Sequence, residues 1–164
     1  MKTFKKLLVT SFILLTGSLF AKDKAAVALD GYCPVCYVAA GKAVKGTEEF
    51  KTTHEGKIYY FVKQGALDAF VAEPQKFLPA YDGYCAYGMS LGKKFESDPT
   101  VFTVIDGVIY LNKDASISKI FHKDTKGAIA KADAEWKKMT MTKEAEMKKE
   151  KEMAMKKEAM MKDK

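Results

Sequence analysis

Asp30-Gly31-Tyr32-Cys33-Pro34-Val35-Cys36 opens the core of this chain, and Asp82-Gly83-Tyr84-Cys85 repeats its first four residues near the middle. Together the two phrases hold every cysteine in the protein. The repetition extends downstream. Glu55-Gly56-Lys57-Ile58-Tyr59 follows the first phrase and Asp106-Gly107-Val108-Ile109-Tyr110 the second, at nearly the same distance. An acid followed by glycine, leading into alternating apolar residues, reads as a tight turn feeding a strand. Each strand is followed by a short helical pattern, residues 64–70 and 114–121, ending in Phe70 and Phe121. Both phenylalanines lie fourteen positions after their turn glycine, Gly56 and Gly107. The sequence predicts an α+β fold of two knuckle–β-hairpin–helix units. These form antiparallel sheet with packed helices, followed by a C-terminal helical tail.

The finer expectations follow from local chemistry. Residues 49–53 pair with 57–62, and 102–105 with 108–111. Pro74 suits the first position of a short helical turn through Phe77, since its missing N–H has no helical partner there. Thr125 or Asp124 caps a last core helix over 128–139, with Ile129, Ala132 and Trp136 on one face.

The first 21 residues carry Lys2, Lys5 and Lys6, then an apolar run over 7–15, then Gly17, Ser18 and Ala21. A charged start, a short apolar middle and small residues near a cut describe a secretory signal peptide, too short to span a bilayer comfortably. Residues 22–29 read as a linker, 30–139 as the domain and 140–164 as a tail. Export places the mature protein in a periplasm or outside the cell. The signal holds three lysines and no acid, so the formal charge of +7 falls to +4 on cleavage. That balance is too mild for a nucleic-acid groove. No Ser-His-Asp set, phosphate loop or paired acid and base stands out, so the chain reads as a binding protein and not an enzyme.

Outside the cytoplasm thiols oxidise unless they are held. Three cysteines allow at most one internal disulfide, so a metal, a second chain or burial must protect the last thiol. Cys33, Cys36 and Cys85 make a soft-metal site the leading expectation, with the fold bringing the third thiol to the other two. Structural zinc wants four ligands, whereas thiolate and thioether donors select cuprous copper. Zinc, silver and mercury also bind thiolates. Met89, His54 or His122 are weaker candidates for a closing ligand. The competing reading is a disulfide, for example Cys33 to Cys85. A thioredoxin-like redox pair wants a βαβ setting that is absent from the pattern, and haem attachment wants histidine where Tyr37 stands.

Gly31-Tyr32-Cys33-Pro34-Val35, Tyr59-Tyr60-Phe61, Asp68-Ala69-Phe70 and Gly83-Tyr84-Cys85-Ala86-Tyr87 resemble the YHS-domain proteins, which are related to the TRASH domains of heavy-metal trafficking, resistance and sensing. Residues 106–136, with Tyr110-Leu111-Asn112 and Lys131-Ala132-Asp133-Ala134, are similar to the C-terminal half of exported YHS-domain proteins. The resemblance covers roughly residues 28–138 and implies metal handling rather than a defined reaction. The first knuckle of metal-binding relatives reads like Asp-Pro-Val-Cys-Gly-Met. Here Cys33 replaces the Asp, Cys36 keeps the family cysteine, and Tyr37-Val38 replace Gly-Met. Val62 and Ala66 stand where relatives often carry two more cysteines, so a four-ligand zinc site is not implied.

Seven of the nine methionines lie between Met139 and Met161, in a segment of Lys, Glu, Met and Ala. At about 100° per residue, Met139, Met147, Met153, Met160 and Met161 share an arc of roughly 140°. The tail reads either as a solvated helix that docks on another protein, or as a scavenger of cuprous or silver ion through Met153, Met155, Met160 and Met161. The function expected from the whole is an exported copper or soft-metal binding protein for trafficking or resistance. Its partners would be the ion and a metal-transport or efflux protein, with the site closed in one chain or shared in a homodimer. The alternative is a disulfide-stabilised interaction module with a docking helix and no metal.

Overall fold

The computed structural model describes residues 25–162, so the signal-peptide reading lies outside the described residues. Four acid–glycine dipeptides organise the chain. Asp30-Gly31, Glu55-Gly56, Asp82-Gly83 and Asp106-Gly107 all have positive φ at both positions. That is the backbone signature of type I′ turns, where glycine and short polar residues are favoured.

In the first unit a 3-10 turn, Ala28–Gly31, leads to helix α1, Pro34–Ala40. Strands β1, Thr47–His54, and β2, Lys57–Phe61, form an antiparallel hairpin, and helix α2 covers Gln64–Ala72. A short turn over Pro74–Lys76 leads to the second unit. The same order then recurs: a 3-10 turn Ala80–Gly83, helix α3 Ala86–Ser90, hairpin β3 Asp98–Ile105 with β4 Val108–Asn112, and helix α4 Ala115–Phe121. Parallel bridges tie Val27 to Ile58 and Pro79 to Ile109 at equivalent places. The α+β architecture of two duplicated units is therefore present, as two separate two-stranded sheets.

Each unit has its own core. Cys33, Val35, Cys36, Tyr59, Phe61, Ala66, Phe70 and Phe77 fill the first. Tyr81, Ala86, Met89, Tyr110, Phe121, Ala128 and Ala132 fill the second. Tyr37 joins them: it leaves α1 to pack on Ile109 and Leu111 of β4. Val27 and Ala28, expected in the linker, belong to the fold, since Val27 pairs with Ile58 and Ala28 is buried.

Helix α5, Thr125–Lys162, runs through the expected boundary at residue 139. The Asp124 carboxylate accepts the Gly127 N–H at 3.0 Å, capping its first turn. Ala132 is fully buried on the second core, with Ile129, Trp136 and Met139 packed around it. Tyr81 donates to Asp133 at 2.8 Å, and Lys94 lies 5.2 Å above the Trp136 ring. Beyond Thr140 every residue whose side chain is described is exposed. Lys, Glu, Ala and Met are all good helix formers, so the composition change marks the end of burial and not of the helix. Among the described residues no helix is long and apolar enough to cross a membrane.

Candidate functional site

Cys33 is the residue before α1, and Pro34 begins the helix with its fixed φ. The Cys33 N–H donates to the Val44 carbonyl at 2.8 Å, and the Cys36 N–H to the Cys33 carbonyl at 3.1 Å. One helical turn thus brings Cys36 back towards Cys33, and both lie in the same buried cluster. Cys33 is fully buried and Cys36 is 9% exposed. Burial, then the hydrogen bond to Cys33, push the Cys36 thiol from 9.0 up to about 12. Apolar surroundings disfavour the thiolate, so the metal-free pair holds the Cys36 proton at neutral pH. A soft cation bound here would have to displace that proton.

Cys85 occupies the equivalent place in the second unit. Its N–H donates to the Phe95 carbonyl at 2.9 Å, as Cys33 does to Val44. Its sulfur caps α3, accepting the Gly88 N–H at 3.4 Å, and its S–H donates to Asn112 Oδ1 at 3.8 Å. Gly88 stands where the first unit has Cys36. A Cβ at Gly88 would lie 2.6 Å from Phe95 Cδ2, so the phenyl ring fills the space a second thiol would need. Asn112 in turn stands where the first unit has Phe61. It is wholly buried, with its Nδ2 unpartnered.

The structure therefore brings Cys33 and Cys36 together and does not bring Cys85 to them. All three are free thiols, and among the described residues no set of three His, Cys, Asp or Glu side chains could hold a metal ion. The physical reason is the duplication itself. Equivalent residues of two units go to equivalent places, and Cys33 and Cys85 each start the helix of their own unit.

The weaker candidates are also dispersed. Met89 is fully buried in the second core. The His54 ring stands edge-on to Phe70 at 5.7 Å, and its buried Nε2 makes no hydrogen bond, the nearest Glu55 oxygen being 3.7 Å away. His122 is exposed at the end of α4, where Thr103 Oγ1 lies 3.1 Å from Nε2 and the Ser118 carbonyl 2.7 Å from Nδ1. Met153, Met155, Met160 and Met161 are each more than 60% exposed on α5. Asn112 and Gly88 were not singled out by sequence reasoning. Aligning the two units residue by residue marks both as the places where they differ.

No family model matches the chain, and no curated protein or solved structure matches it.

Proposed function

We propose that this chain is an exported soft-metal binding protein, acting in copper trafficking or resistance, in which Cys33 and Cys36 hold one cuprous ion. The single observation that carries the reading is the placement of both cysteines at the start of α1, buried in one core. Two thiolates from one turn suit a soft ion of low coordination, whereas a closed zinc site wants four ligands. The resemblance to YHS-domain proteins supports metal handling. The exposed methionines of α5 form a second, weaker store: thioethers bind cuprous ion and do not oxidise to disulfides. The ion is cargo, and the protein is a carrier, not an enzyme.

Competition with a coloured cuprous chelator, under reducing conditions, tests the reading. Cys33→Ser and Cys36→Ser each lose the tight ion, and Cys85→Ser keeps it. If Cys33→Ser and Cys36→Ser both bind as the parent does, the carrier reading fails.

The same placement also favours a second reading, in which Cys33 and Cys36 close a disulfide and the exposed part of α5 docks on another protein. Alkylation of the exported protein after metal removal separates the two. The carrier presents three alkylatable thiols, and the disulfide module presents Cys85 alone.

A further inference from the structure

Duplication lets one unit serve as a control for the other. With Cys33 set on Cys85 and Phe70 on Phe121, the second unit has Leu91 in place of Ala39, Ile117 in place of Ala66 and Ile120 in place of Ala69. Each change enlarges an apolar side chain. Yet Leu91 is 57% and Ile120 39% exposed, and Phe95, which lines the same groove as Leu91, is 43% exposed. The first unit folds without such residues, so the fold alone does not call for them. In the second unit they border a groove beside α3. One section, of about 220 Å³, is lined by Leu91, Phe95, Ile117 and Lys113. The next, of about 340 Å³, shares Tyr87 and Leu91 with it and reaches Ile120, Lys123 and Lys131. Backbone bonds fix the rim. The Cys85 N–H donates to the Phe95 carbonyl at 2.9 Å, and the Leu91 and Lys93 N–H groups donate to the Gly88 carbonyl at 3.0 and 3.1 Å. Large apolar side chains gathered at one exposed place mark an interaction site, unlike the same residues scattered singly.

Charge indicates what covers the groove. Lys113 and Lys123 stand where the first unit has Val62 and Ala72, and Lys131 of α5 joins them. None of the three is in an ion pair among the described residues. The acid in the lining, Asp124, is occupied in capping α5. We propose that this groove binds a single-chain amphiphilic anion, a fatty carboxylate, with its acyl chain along Tyr87, Leu91 and Ile117 and its head on the unpaired ammonium groups. Small-ligand sites are concave, mostly apolar and roughly 300–1,000 Å³, with a few polar groups that fix orientation, and the two sections together fall in that range. A protein partner is favoured less. A stable interface takes about 800 Å² from each side, of which three part-exposed side chains supply only a fraction. Neither Cys33 nor Cys36 lines the groove, so the proposal does not rest on the metal reading.

Titration of the reduced full chain with dodecanoate, kept below its micelle concentration and followed by amide chemical shifts, tests the proposal. Saturable changes centred on Leu91, Phe95, Ile117 and Ile120 are expected. Leu91→Ser weakens binding about tenfold, the scale of losing the burial of one leucine. Leu91 is exposed, so its variant leaves the fold intact and reads binding alone. Replacing both Lys113→Gln and Lys131→Gln weakens binding by about tenfold or more, the scale of a bond between charged groups. Dodecyltrimethylammonium, which has the chain but the opposite head, binds far more weakly. Non-saturating shifts spread over the surface, parent-like binding by Leu91→Ser, or equal binding of dodecyltrimethylammonium would each overturn the proposal. So would a dimer of the ligand-free chain that Leu91→Ser dissolves, which would give the groove to a second copy.

Discussion

The Tyr37 hydroxyl donates to the Pro99 carbonyl oxygen at 2.8 Å, and the bond is buried. Tyr37 starts in the first unit and ends in the second, with its ring 4.8 Å from Phe102 in an edge contact. It is a principal bolt between the duplicated halves, beside the Lys57–Asp82 ion pair. Tyr37→Phe keeps the packing but leaves the Pro99 carbonyl unpaired, at a cost of about 1–3 kcal/mol. Urea unfolding should show the loss as a lower midpoint with an unchanged slope. A parent-like midpoint would mean that this bond does not tie the units.

Alkaline pH should destabilise the metal-free protein. The native state raises the Cys36 thiol from 9.0 to about 12 and the Tyr59 hydroxyl from 10.0 to about 12, in both cases chiefly through burial. Each group holds its proton more tightly folded than unfolded. Their stabilisation is complete below about pH 9 and is lost as pH rises towards 12. Cuprous affinity moves the other way, because the ion must displace the Cys36 proton and so binds more tightly as pH rises. Denaturant midpoints measured from pH 8 upward should stay level and then fall. A midpoint that holds level to pH 12 would contradict the assigned burial.

The second unit should accept the thiol it lacks. Gly88→Cys alone pushes its Cβ into Phe95 and should cost about 1–3 kcal/mol, the usual scale of overpacking. Adding Phe95→Ala removes the clash and sets the introduced thiol beside Cys85, in the geometry of Cys33 and Cys36. The double variant should bind a second tight cuprous ion, read as copper per chain after chelator competition. If the count stays at the parent's, two thiols on one such turn are not sufficient for a site.

What the sequence made legible was mostly backbone chemistry. Acid–glycine pairs identified both hairpin turns, because positive φ at consecutive residues favours so few residue types. Strand ends were less visible. β1 and β3 start earlier than their alternation indicates, across irregular register between Thr47 and Lys51 and between Asp98 and Phe102. Pro99 lies in that second irregular stretch, where a residue without an N–H breaks no ladder bond. The Val27–Ile58 bridge was hidden, since backbone pairing outside a strand leaves little trace in side chains. At the candidate site, cysteine type and spacing revealed the Cys33–Cys36 pair. They misplaced Cys85, because three soft ligands were counted without asking where a duplicated fold sends equivalent positions.

The far part of α5 should be dispensable for stability. Met141, Met147, Met153, Met155, Met160 and Met161 are all exposed, while the contacts that dock the helix end with Trp136 and Met139. Deleting residues 143–164 should leave the thermal midpoint within a degree or two of the parent, since surface changes typically fall within about 0.5 kcal/mol. The same deletion should remove only weakly held cuprous ion. A large fall in midpoint would show that the exposed helix packs on a second copy of the chain.

The central claim is that one turn of α1, and not three convergent cysteines, grips the ion. X-ray absorption at the copper edge of the singly loaded, reduced protein tests it most directly. The account predicts two sulfur neighbours at the copper, and the same spectrum from Cys85→Ser. Three sulfur neighbours, falling to two in Cys85→Ser, would contradict it.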